Sequence, residues 1–92
     1  MMTVPIRIAN RAWAEQILLM LPPRERKRFN VIRDKLHITN HTLSSTLDSL
    51  EADGLIARIP SGNMRVEYEL TSKGAALVEA IRPLHEWRKR WG

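Results

Sequence analysis

Leu36-His37-Ile38-Thr39-Asn40-His41-Thr42-Leu43-Ser44-Ser45-Thr46-Leu47-Asp48-Ser49-Leu50-Glu51-Ala52-Asp53-Gly54 carries the start, stripe and stop signals of one helix. Thr39 is a good N-cap, because its hydroxyl can accept from a free N–H of the first helical turn. Ile38 before the cap and Leu43 after it have the spacing of a hydrophobic staple. Leu43, Leu47 and Leu50 recur at i, i+4 and i+7, one buried stripe of a helix. Gly54 stands in the usual glycine position after a helix C-terminus. The spacing predicts a helix over residues 40–53. The short segment Leu36-His37-Ile38-Thr39 is the turn leading into it.

Upstream, Phe29, Ile32 and Leu36 supply the apolar side of a short helix over residues 30–36. Before it lies a basic segment. From Arg24 to Lys35 there are six basic residues, Arg24, Arg26, Lys27, Arg28, Arg33 and Lys35, against the two acids Glu25 and Asp34. Further back, Ala9, Trp13, Ile17 and Met20 have helical spacing, with Asn10, Glu15 and Gln16 on other faces. This predicts a helix over 9–21 that Pro22-Pro23 stops.

Downstream, residues 55–59 read as a strand and Pro60-Ser61-Gly62-Asn63 as a turn. Then Arg65 to Leu70 alternates, with Val66, Tyr68 and Leu70 on one face and Arg65, Glu67 and Glu69 on the other. That is a half-buried antiparallel strand, and the hairpin occupies residues 55–70. Thr71 caps a last helix over 72–91, with Leu77, Ala80, Ile81, Leu84, Trp87 and Trp91 as its stripe. Pro83 removes the hydrogen bond to the Glu79 carbonyl and is expected to kink it.

The order is helix, helix, helix, strand, turn, strand, helix: a mainly α chain with a small antiparallel β-hairpin. Two short helices joined tightly and followed by a hairpin make a winged helix-turn-helix. The helix from Asn40 is its recognition helix, and residues 61–65 its wing tip. The chain of 92 residues, 43% apolar, fits a single domain over 1–92 that buries about 60–70% of its unfolded surface.

Composition narrows the function. No cysteine is present, which excludes disulfides, thiolate zinc sites and thiol redox sensing. The longest apolar run, Ile17-Leu18-Leu19-Met20-Leu21, is far short of the ~20 residues a bilayer needs. Met1-Met2-Thr3-Val4-Pro5 has no basic region feeding a hydrophobic stretch, so no secretion signal and a cytoplasmic location are expected. A formal charge of +5 favours a polyanionic partner. His37, His41 and His85 lack metal-ligand spacing. There is no nucleophile–base constellation, glycine-rich phosphate loop or paired carboxylate set. No enzyme, metal, cofactor or membrane partner is expected.

Three segments carry a family resemblance. Arg28-Phe29-Asn30-Val31-Ile32-Arg33 resembles the start of the second helix in the HxlR family of bacterial and archaeal regulators. Leu47-Asp48-Ser49-Leu50-Glu51-Ala52-Asp53-Gly54-Leu55-Ile56 is similar to the segment ending that family's recognition helix. Arg65-Val66-Glu67-Tyr68-Glu69-Leu70-Thr71-Ser72-Lys73-Gly74 is similar to its strand-to-helix junction. They occur in order over residues 28–74, about half the chain. The wider MarR and PadR groups share the Leu-Glu-x-x-Gly and Tyr-x-Leu-Thr-x-x-Gly elements. The resemblance implies a dimeric DNA-binding transcription regulator, its recognition helix in the major groove, dimerising through the terminal helices. Many relatives carry a cysteine before the first helix, and this chain has none.

With the leucines inward, helical geometry turns Asn40, His41, Ser44, Ser45 and Asp48 outward. Asn suits bidentate contact with adenine, His reaches guanine acceptors, and Ser bonds bases or phosphate. A carboxylate near phosphates costs energy, so Asp48 belongs beyond the groove. No arginine lies on this face, which predicts modest base specificity and a large backbone contribution. Arg65, beside Gly62 and Asn63 at the wing, can enter a narrow minor groove, with Arg58 on the partner strand. Arg24, Arg26, Lys27 and Arg28 are candidates for phosphate contacts, Arg28 foremost. The competing readings are a solvated helix face, a hairpin ion pair of Arg65 with Glu67 or Glu69, and a charged surface loop.

Trp13, Trp87 and Trp91 exceed what so small a core holds alongside Ile81 and Leu84. Trp13, Ile17, Ile81, Leu84, Trp87 and Trp91 are therefore the expected dimer contact. Two copies would set the recognition helices ~34 Å apart on a roughly palindromic site. The rivals are a winged-helix module for protein–protein assembly without specific DNA binding, and an RNA-binding winged helix. The effector, if any, has no signature in the sequence.

Overall fold

The structure, a computed structural model, describes residues 8–63 and 65–92, with side chains from Trp13 onward. The opening Met1-Met2-Thr3-Val4-Pro5 and the Ala9 side chain lie outside that description. The elements are α1 (Ile8–Met20), β1 (Lys27–Arg28), α2 (Phe29–Leu36), α3 (Asn40–Ala52), β2 (Ile56–Ser61), β3 (Arg65–Leu70) and α4 (Ser72–Trp91). This is a winged helix-turn-helix, with three strands where the sequence suggested two.

Strand β1 is the addition. The sheet order is β1-β3-β2, all antiparallel. Lys27 pairs with Tyr68 and Arg28 with Glu67. Nothing in a two-residue charged segment announces a strand; the free edge of β3 supplies the ladder. The wing turn also begins later than expected, at Gly62. Pro60 pairs with Val66 and Ser61 with Arg65, so β2 runs through both. Proline is tolerated there because β2 is an edge strand, where its missing N–H costs no ladder bond.

The core is Ala14, Ile17, Leu18 and Leu21 from the α1 side, Ile32 from α2, Leu43, Leu47 and Leu50 from α3, then Leu55, Ile56, Tyr68, Leu70 and Val78. Helix α1 therefore buries Ala14, Ile17 and Leu18, with Trp13 and Met20 half-buried at the margin of that face. Thr46 is also fully buried in α3, its hydroxyl satisfied by donating to the Thr42 carbonyl at 2.7 Å. The Thr39 cap forms as its residue type requires, accepting from the Thr42 N–H at 3.1 Å.

The junction of α3, wing and α4 explains why the glycine and threonine motifs occur together. Thr71 Oγ1 donates to the Gly54 carbonyl at 2.6 Å and accepts from the Gly74 N–H at 3.0 Å. The Thr71 N–H donates to the Leu55 carbonyl at 3.1 Å. Lys73 Nζ donates to the Asp53 carbonyl at 2.7 Å. Gly74 is forced by close approach: a Cβ there would lie 1.9 Å from the Leu55 carbonyl oxygen. Helix α4 is thus stitched to the end of α3, which fixes the wing between them. Helix α4 continues through Pro83, and its buried residues are Gly74 and Val78. Glu15 of α1 holds its second half, 3.0 Å from Arg88 Nη2 and 3.9 Å from His85 Nδ1. No helix among the described residues is long and apolar enough to cross a membrane.

Candidate nucleic-acid interface

Helix α3 divides by face. Leu43, Leu47 and Leu50 are at most 1% exposed, while Asn40, His41, Ser44 and Asp48 are exposed and Ser45 is half-buried. Ser45 also accepts, through its backbone carbonyl, the Ser49 hydroxyl at 3.2 Å. The turn before α3 is tight because His37 adopts the left-handed conformation (φ 55°), and its N–H returns to the Arg33 carbonyl.

The wing splits the basic residues that the sequence grouped. Directly paired residues share a face of the sheet. Arg58 pairs with Tyr68, which pairs with Lys27, so Lys27 and Arg58 share one face. Arg28 pairs with Glu67, and Arg65 is two residues from Glu67 on the same strand, so Arg28 and Arg65 share the opposite face. Both arginines are exposed and line a cleft of about 390 Å³ with Phe29, Asn30, Val31 and Val66. Asn63 is exposed in the turn with φ 64°. Arg24 is exposed in the loop before β1, also at φ 64°. Two basic side chains take structural partners: Arg26 pairs with Glu69 at 3.5 Å and Lys27 with Glu25 at 3.5 Å.

One residue was missed. Arg33 of α2 reaches across the turn, and its Nη1 donates to Asn40 Oδ1 at 2.9 Å while its Nε donates to Asp34 Oδ1 at 3.0 Å. Helix α3 itself carries no arginine, and α2 sets Arg33 beside its first residue. The signal was Arg33's place in the last turn of a helix joined tightly to the next. Asn30 and Arg33, at i and i+3, lie on one side of α2. The surface therefore runs from Arg65 and Arg28 through Asn30 and Arg33 to Asn40.

The residues expected at a dimer contact behave differently from one another. Ile17 is fully buried within the chain's own core and is not available to a partner, because α1 turns it toward the other helices. Trp13 and Ile81 are half-buried. Leu84, Trp87 and Trp91 are 51%, 56% and 73% exposed. Between α1 and α4 lies a groove of about 600 Å³, with Glu15, Leu19, Met20, His85 and Arg88 among its walls. Among the described residues, no three His, Cys, Asp or Glu side chains gather as a metal site.

The fold has counterparts among known proteins. The chain is 32% identical over 89 residues to YvaP of Bacillus subtilis, an HTH-type transcriptional regulator, covering 94% of this chain and 82% of that one. Its fold is similar to that of the redox regulator HypR in its oxidised form, with TM-score 0.74 and 31% identity over 85% of this chain and 82% of that one. It is also similar to S. aureus MepR in a DNA complex, with TM-score 0.79 and 26% identity, covering 86% of this chain but 60% of the MepR chain. Residues 8–92 match the family described as HxlR-like helix-turn-helix, and the chain belongs to that family.

Proposed function

We propose that the chain is a cytoplasmic transcription regulator that binds specific double-stranded DNA sequences as a homodimer, with α3 in the major groove and the wing on the backbone or minor groove. One observation carries the reading: α3 buries its leucines completely and leaves Asn40, His41 and Ser44 exposed. Short polar groups on an exposed helix after a tight turn suit base edges. The cleft between Arg28 and Arg65 suits a backbone phosphate, since paired guanidinium forks match phosphate oxygens. That YvaP is named a regulator and MepR is seen on DNA supports the same role here.

The homodimer reading rests on Leu84, Trp87 and Trp91, which recur at i, i+3 and i+7 and remain exposed on α4. Large apolar side chains gathered on one face call for a cover, and a second copy supplies it while pairing two recognition helices. The rival assembly-module reading would use the same face.

Gel shifts with duplex DNA at low and moderate salt test the proposal. Salt-sensitive binding is expected, and Asn40→Ala with Ser44→Ala weakens binding to the preferred sequence more than to random DNA. Salt-insensitive or absent binding supports the assembly module instead.

A further inference from the structure

The Arg33–Asn40 bond changes what the start of α3 can read. Arginine is a donor only. The Asn40 amide must therefore offer its oxygen to Arg33 Nη1, at 2.9 Å, and turn its NH₂ away. Bidentate recognition of adenine by asparagine needs that oxygen to accept from the base N6–H while the amide N–H donates to N7. The Arg33 bond takes one of that oxygen's two lone pairs. Beside the one acceptor site left stands a larger set of donors: the Asn40 NH₂ and the guanidinium N–H groups of Arg33 beyond its bonds to Asn40 and Asp34. The Asp34 carboxylate on Nε fixes the plane of the guanidinium, and the Arg33 side chain is 30% exposed. Guanine presents two acceptors, O6 and N7, side by side in the major groove, whereas adenine presents a donor next to its acceptor.

We infer that Arg33 is a specificity-determining residue: it acts with Asn40 as a donor-rich pair that favours guanine over adenine at the base facing the N-terminus of α3. This rests on the DNA-binding reading above. It sets guanine against the adenine that an asparagine acting alone suits.

The test is selection of duplexes from a random pool by the full chain and by Arg33→Lys, Asn40→Ala and Asn40→Asp, with binding to random DNA at low salt and thermal melting as controls for folding. Arg33→Lys keeps the charge and loses the fork. Asn40→Asp keeps an acceptor for Arg33 and loses the NH₂ donors. The expected result is a guanine in each half-site of the wild-type consensus. Discrimination at that position falls about ten- to a hundredfold in each variant, other positions keeping theirs. The Arg33→Lys, Asn40→Ala double variant loses little more than either single change, as a coupled pair requires. An adenine at the Asn40-dependent position, or a guanine preference unchanged by either Arg33→Lys or Asn40→Asp, overturns the inference and leaves the regulator reading standing. A wild-type chain that selects no sequence overturns both.

Discussion

His37 and Gly74 place opposite demands on the backbone. His37 carries a side chain in the left-handed region at φ 55°, where glycine has no steric cost. His37→Gly should raise stability by about 1 kcal/mol, read as a higher urea midpoint at unchanged slope. Gly74 is the opposite case. The atom in its way is the Leu55 backbone carbonyl, which a side-chain rotation cannot move. Gly74→Ala should cost about 2–3 kcal/mol in the same measurement, as α4 is pushed off the end of α3. Single residues were unevenly legible. Thr39 and Thr71 announce their roles, because a cap is a local property of residue type and position. Arg33 does not, because its contact with Asn40 depends on how two helices cross at a turn, and neither residue alone encodes that angle. Ile17 misled for a related reason. Periodicity says that a face is apolar, not whether it meets this chain or another.

At the scale of elements, α3 was legible from end to end because cap, staple, leucine stripe and terminal glycine all point to one helix. Strand β3 was equally plain from its alternation. Strand β1 was not, since its two charged residues are recruited by an edge that exists only once β3 has paired with β2. That recruitment matters for function. It places Arg28 on the same face as Arg65 and sends Lys27 to the other with Arg58. If Arg28 and Arg65 act together on the DNA backbone, Arg28→Ala and Arg65→Ala should each reduce the log–log salt slope on random duplex DNA by about 0.9 per protomer, or about 1.8 for a bound homodimer. Replacing Arg26, committed to Glu69, should leave that slope nearly unchanged. Titrations at four or five salt concentrations would separate the two sets. Equal effects from all three would mean that the cationic loop acts as diffuse charge.

For the whole molecule, the core is shared among α1, α2, α3, the sheet and the first half of α4, leaving the second half of α4 projecting with its tryptophans uncovered. Trp87→Glu with Trp91→Glu should convert a dimer to a monomer by light scattering, with the melting temperature at high dilution little changed. Such a variant should bind an isolated half-site as the wild-type monomer would and lose the added affinity for a palindrome. A molar mass that is already monomeric in the wild type, or dimeric in the variant, counts against the α4 face as the contact.

A dimethyl sulfate footprint on a duplex the protein selects shows whether the exposed polar face of α3 enters the major groove, since that reagent methylates guanine N7 on the major-groove side. Two protected patches centred about 10 base pairs apart are expected, both weakened by Asn40→Ala. Tight binding that leaves every major-groove N7 reactive would contradict that placement of α3.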